Sequence, residues 1–454
     1  MRTWSRPAAA LLAVALAAAG CTPAGGSPGP APAGTPRRAS PAGTSPASAR
    51  GCGPFPPRHA WAVEVTATGR IAWQTALATH GTTPAEAISP LPAGPVAVFA
   101  QDGTVHGLRL TDGHPLWAWP GGQAVYGMWR WGGLLAVLTG QVGRHARITG
   151  LDAATGAVRW VLRLPGNGLL GSQVPTGDGG LAMIRSDGVL QVVSLTDGKV
   201  RWARFAGRWP ALAAAAGVVM FGMGERLTGY DARTGQVRWT LSGLPGQTQV
   251  QVLAGLGLVT SNGSGPYTQT ALAAVDPATG RAEWRFDPGS AVTVLADGPA
   301  GLAVATYGPA RRLYLLDPRT GRPRWRAATA VALGTVPLVT AATVVAVEGG
   351  VGGHPAVRLV GRSAVTGRRR WAHTLAALPA GPQPVLSLAG RAIVLTAAAR
   401  AHRPAPLLSY DLATGRPAWR ADLPTSVTTP PVPAAGRLLI QPADPGYACA
   451  LSGG

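Results

Sequence analysis

Only three of the 454 residues are cysteine, and a single lysine, Lys199, stands among forty basic residues. Acids are scarce too, nineteen against those forty, and the five glutamates Glu64, Glu86, Glu225, Glu283 and Glu348 lie far apart. A dense carboxylate cluster of the kind that holds calcium is therefore not to be expected. The eight histidines form no His-x-x-x-His or glutamate-containing zinc motif, which argues against a metallohydrolase centre. Also missing are a Cys-x-x-Cys-His haem site, a Gly-x-Ser-x-Gly elbow and a phosphate loop with its lysine. No catalytic residue and no cofactor or metal site is predicted. No segment has a sustained helical period, so helix content should be very low. No run beyond the first twenty residues reaches ~18 apolar positions, which excludes a later spanning helix. The formal charge of +21 comes almost wholly from scattered arginines, with Arg368-Arg369-Arg370 the one run of three. That distribution reads as a solvated basic surface, not as a specific nucleic-acid site.

What is present begins with an export signal. Arg2 and Arg6 precede an uncharged stretch, 7–20, too short to span a bilayer. It ends Ala18-Ala19-Gly20-Cys21, which resembles the lipobox of bacterial lipoproteins, with Ala18 where leucine is commonest. The resemblance implies a signal peptide over 1–20, acylation of the Cys21 sulfur and attachment to the outer face of the cell membrane. Residues 21–50 are mostly Pro, Ala, Gly, Ser and Thr. Such a segment cannot bury enough apolar surface to fold, and reads as a disordered tether.

From residue 51 the chain repeats. A glycine four residues ahead of a tryptophan occurs nine times, at Trp73, Trp117, Trp160, Trp202, Trp239, Trp284, Trp325, Trp371 and Trp419, spaced 44, 43, 42, 37, 45, 41, 46 and 48 residues apart. Five copies add an aspartate eight residues before the tryptophan: Asp152, Asp231, Asp276, Asp317 and Asp411. Aspartate accepts backbone N–H groups in the turn that follows, and glycine supplies the positive φ that closes it. Asp112-Gly113 and Asp197-Gly198 are equivalent hairpin signals. Runs such as 134–138, 218–221 and 392–395 are apolar at every position, as in strands covered on both faces.

The pattern Asp-x-x-Thr-Gly-x-x-x-Trp at this period resembles the repeat of the pyrroloquinoline-quinone-type β-propellers, from Trp61 to the C-terminus. The resemblance implies an all-β propeller of four-stranded antiparallel blades, formed by a single domain over 51–454, with the nine tryptophans docking each blade on its neighbour. The first hairpin has a docking tryptophan but no inner strands, whereas the C-terminal residues supply strands without one. Pairing them makes a blade shared by the two ends. Counted literally this gives nine blades. The family number is eight, so eight is the expectation, with nine left open.

Cys52 and Cys449 stand at the two ends that such a blade brings together, so in an exported protein they are expected to be disulfide-bonded; two free thiols are the alternative. The enzymes of this family hold their quinone over calcium beside two adjacent cysteines, and no two cysteines are adjacent here. Trp129, Trp131 and Trp209 lie outside the docking positions, Trp129 and Trp131 flanking Arg130 and Trp209 following Arg208. They either present a binding face or fill the central channel or a gap between blades. The reading is a monomeric, lipid-anchored scaffold that binds a protein partner outside the membrane. It resembles the propeller lipoprotein of outer-membrane protein assembly. A small-molecule, quinone or glycan binder at the propeller axis is the alternative, and an enzyme is the remaining one.

Overall fold

In a computed structural model the described residues are 60–441 apart from 69, 78–87, 102, 142–143, 166–168, 208–210, 245–246, 263–270, 309–310, 333, 350–356, 376–382, 397–405 and 424–429. They belong to the larger of two units, 59–445. The signal peptide, Cys21, the tether, Cys52, Trp209 and Cys449 lie outside them.

The apolar runs become second strands from the propeller axis. Val218–Met223 is buried at every position but its last, and Thr343–Glu348 throughout. The fourth strands, such as Val158–Arg163, are largely exposed, which marks them as the outer edge. All regular structure among the described residues is β-strand, arranged as nine antiparallel four-stranded sheets and one short parallel pair. Nine blades, not the expected eight, make the ring. Each tryptophan hairpin is the outer half of its own sheet, so the repeats map one to one onto blades.

Blade 1 takes its inner strands, Val432–Ala434 and Arg437–Ile440, from the C-terminal end and its outer strands, Ala60–Thr66 and Ile71–Leu77, from the N-terminal end. Val63 pairs with Ile440 across the join. Blades 2 to 9 follow as 91–120, 124–163, 169–205, 211–242, 247–286, 291–328, 338–374 and 386–422.

No blade encloses a core of its own; apolar side chains meet between blades. Ala136, Leu138 and Ile148 of blade 3 pack with Leu181, Met183 and Val193 of blade 4. Leu388, Ile393 and Leu407 of blade 9 pack with Val65, Leu438 and Ile440 of blade 1. That last cluster closes the circle. Each apolar side chain fully buried this way contributes about 1.5–3 kcal/mol before ordering costs are subtracted.

Antiparallel order puts the first and third turns of each blade on one face of the ring. There they back onto each other: the Ala153 amide donates to the Gly133 carbonyl at 2.8 Å and the Leu195 amide to that of Gly179 at 2.8 Å. This face is regular. The opposite face carries the middle turns and the connections between blades, and it varies in length. The middle turn is 102–103 in blade 2 but 263–271 in blade 6 and 396–405 in blade 9.

Candidate binding face

Five outer hairpins are held by the aspartate that opens the repeat motif. Asp152 Oδ1 accepts the amides of Ala154 and Thr155, both at 3.1 Å, and the Thr155 hydroxyl at 3.0 Å, while Oδ2 faces Arg159 at 2.7 Å. Asp231 repeats this with Arg233, Thr234 and Arg238. The Arg159 guanidinium and the turn donors hold the Asp152 carboxyl down at about 2. The Thr234 amide and Arg238 do the same for Asp231, also to about 2. Both values lie below the unfolded value, so the stabilisation is complete above pH about 4 and is lost as pH falls toward 2. The melting temperature should therefore drop between pH 4 and 2. Asp152→Asn with Asp231→Asn should flatten that slope, and an unflattened slope would place the acid sensitivity elsewhere.

The tryptophans cross from blade to blade. Trp73 Nε1 donates to the Leu110 carbonyl at 3.1 Å, Trp202 to Ala232 at 3.0 Å and Trp239 to Pro277 at 3.0 Å. Trp284 reaches Pro318 at 2.8 Å, Trp325 reaches Ala364 at 2.8 Å, and Trp371 reaches Leu412 at 3.2 Å. Trp419 returns to Ala67 of blade 1 at 2.8 Å. Nε1 of Trp117 and of Trp160 has no partner among the described residues. Their rings nonetheless lie on the next blade: a Cβ added at Gly156 would stand 2.7 Å from the Trp117 ring, and one at Gly198 2.4 Å from that of Trp160. Gly156, at φ +71°, is thus required twice, by its backbone angle and by the indole above it.

The sequence reading missed the other side of this sandwich. Gly107, Gly150, Gly229 and Gly361 lie under the indoles of Trp117, Trp160, Trp239 and Trp371, where a Cβ would stand 2.1 to 2.2 Å away. Each precedes its tryptophan by ten residues. That second spacing was the available signal.

Trp129 and Trp131 are on the innermost strand of blade 3, Ala124–Trp131. They part company there. Trp129 is half-buried against the cluster shared by blades 3 and 4. Trp131 is 39% exposed at the end of the strand, and its indole lies against Gly179 in the first turn of blade 4. In the same turn Asp178 pairs with Arg201 at 2.8 Å and with Arg233 of blade 5 at 3.5 Å. Burial raises the Asp178 pKa, but the Thr176 hydroxyl and Arg201 outweigh it and leave the carboxyl below the usual range. The regular face here carries an exposed indole, a fixed carboxylate and arginines from blades 4 and 5, while Arg130 lies on the other side of its strand, toward Gly94 of blade 2. A flat aromatic surface with a charged border suits a protein partner.

The axis is poor in acids. The nine inner strands contain one acid, Asp297, and its carboxylate accepts the Ala254 amide at 2.6 Å. Among the described residues no three His, Cys, Asp or Glu side chains gather as a metal site. This donor set does not fit a quinone held over calcium.

Fold and site together define a β-propeller whose blades are locked in sequence by tryptophans seated on the neighbour's outer hairpin. Residues 130–262, 268–402 and 363–453 match the family described as outer membrane protein assembly factor BamB, and the chain belongs to that family. No curated protein matches it significantly in sequence. Similar solved structures include BamB from Moraxella catarrhalis, 16% identical, covering 78% of this chain and 96% of that one with a TM-score of 0.43. A quinohemoprotein alcohol dehydrogenase from Pseudomonas putida HK5 is 13% identical over 82% of this chain and 80% of its own, TM-score 0.47. A eukaryotic initiation factor is 11% identical over 84% and 98%, TM-score 0.54. At such identities the likeness is one of fold.

Proposed function

We propose that the chain is a lipid-anchored propeller scaffold on the outer face of the cell membrane that binds a protein partner and catalyses no reaction. Membership of a family named for protein assembly supports the scaffold role. The observation that carries it is the exposed Trp131 on the inner end of the regular face, beside the Asp178–Arg201–Arg233 cluster. Interface tryptophans of this kind contribute about 2 kcal/mol or more, a factor of about thirty in affinity. Crosslinking in native membranes should capture a partner with the parent chain and lose it with Trp131→Ala. Undiminished capture by that variant would move the interface elsewhere. Retention of a quinone by the purified protein, seen by absorbance, would favour a small-molecule binder, and turnover of a quinone-linked alcohol or sugar would overturn the non-catalytic reading.

Cys21 carries the anchor in this proposal: labelling with an alkyne fatty acid should disappear in Cys21→Ser. The propeller domain extends from residue 51 to 454, fastened by a Cys52–Cys449 disulfide. The pairing of Val63 with Ile440 supports that bond, because both chain ends leave blade 1 from neighbouring strands. Closing so long a loop would contribute ~5 kcal/mol on the loop-entropy model. A non-reduced digest should contain the Cys52–Cys449 peptide, and its absence would rule the bond out.

A further inference from the structure

Blade 8 breaks the charge pattern of the ring. In every other blade the outer hairpin includes an acid, as at Glu64, Asp152 or Asp411. The hairpin 358–374 has none: Ser363 stands in the aspartate position, and five arginines surround it, Arg358, Arg362, Arg368, Arg369 and Arg370. Arg362 is neutralised by Glu348 at 2.7 Å. The other four are exposed and have no ion-pair partner among the described residues. Arg369 also replaces an apolar residue, since two positions before the tryptophan the other blades have side chains such as Val158, Val200 and Pro323.

Arg358 and Arg369 line one recess of about 330 Å³ with Ala372 and Thr374, Thr374 pairing directly across from Arg358. Two uncompensated guanidinium groups on one recess repel each other, and an anion between them removes that cost. Guanidinium forks match phosphate oxygens in a bidentate manner. We propose that the outer edge of blade 8 is a phosphate-binding site in which Arg358 and Arg369 ligate the oxygens, Thr374 adds a hydroxyl and Arg368 and Arg370 supply the attracting field.

Phosphate of this kind is presented by lipid headgroups and by anionic polymers. The full chain carrying Cys21→Ser, which removes the acyl anchor, should bind soluble polyphosphate or phosphatidylglycerol vesicles over phosphatidylcholine vesicles, more weakly as salt rises. Arg358→Gln with Arg369→Gln should reduce that binding about tenfold. Arg163→Gln with Arg326→Gln, exposed arginines on other blades, removes the same charge and should change it less than twofold. Loss confined to vesicles assigns the site to a lipid headgroup; loss with polyphosphate assigns it to a polymer. Equal losses in the two double variants, or no binding to either probe, would overturn the site. Unchanged melting temperatures establish that each variant is folded.

Discussion

Trp325→Ala is expected to destabilise the ring by about 3–5 kcal/mol, the range for removing a buried tryptophan. Its side chain is 7% exposed and belongs to the cluster joining blades 7 and 8. Its indole donates to Ala364 at 2.8 Å and lies on Gly367, where an added Cβ would be 2.6 Å from the ring. One truncation therefore removes apolar contact with both blades, orphans a carbonyl and leaves a cavity that the glycine cannot fill. Trp325→Phe isolates the hydrogen bond and some of the ring, and should cost more than the same change at Trp160, whose Nε1 has no partner among the described residues. Urea unfolding measures both differences. A Trp325→Ala midpoint matching that of the parent would show that the blade contact does not depend on the indole.

The second large effect is expected inside blade 8. Glu348 is 8% exposed, and its two carboxylate oxygens accept Arg362 at 2.7 and 2.9 Å and the Thr329 hydroxyl at 2.7 Å. Glu348→Ala strands the Arg362 charge in the interior, at a cost of about 3–5 kcal/mol. The double change Glu348→Leu with Arg362→Met removes both charges and should recover most of the loss. An exposed pair such as Arg420–Asp422 should be worth about 0–1 kcal/mol when broken. Thermal melts of the three variants followed by circular dichroism provide the comparison. A Glu348→Ala loss no greater than that of Asp422→Ala would mean water reaches the pair.

The repeat was legible because its signals are local. Asp152, Thr155 and Gly156 build a turn from their own backbone geometry, and a tryptophan four residues later announces itself by period alone. Shared-blade closure could be read as well, since one end lacked inner strands and the other lacked a tryptophan. The blade number follows the nine hairpins, the count left open beside the family's eight, because each hairpin has its own inner pair of strands. Other features depend on residues far apart in the chain. Nothing near Asp178 announces that Arg201 and Arg233 converge on it, and Glu348 meets Arg362 only because the third strand of blade 8 folds back beside the second. Trp129 and Trp131, two residues apart, share one face of their strand and both meet blade 4, but Trp131 stands at the strand's end and is left exposed. Trp209 lies outside the described residues.

The seam in blade 1 sets the order in which the molecule is completed. Its outer pair, Ala60–Thr66 and Ile71–Leu77, is made first among the described strands, whereas Arg437–Ile440, to which Ala60–Thr66 hydrogen-bonds, is made last. Until that last strand is made, the leading hairpin has a bare strand edge, and blade 9 has nothing against which Trp419 can close. Joining contacts this distant in sequence is slow, because the loop entropy is lost before any contact compensates it. Synthesis thus yields an open arc with adhesive edges, and becoming a ring is a late event.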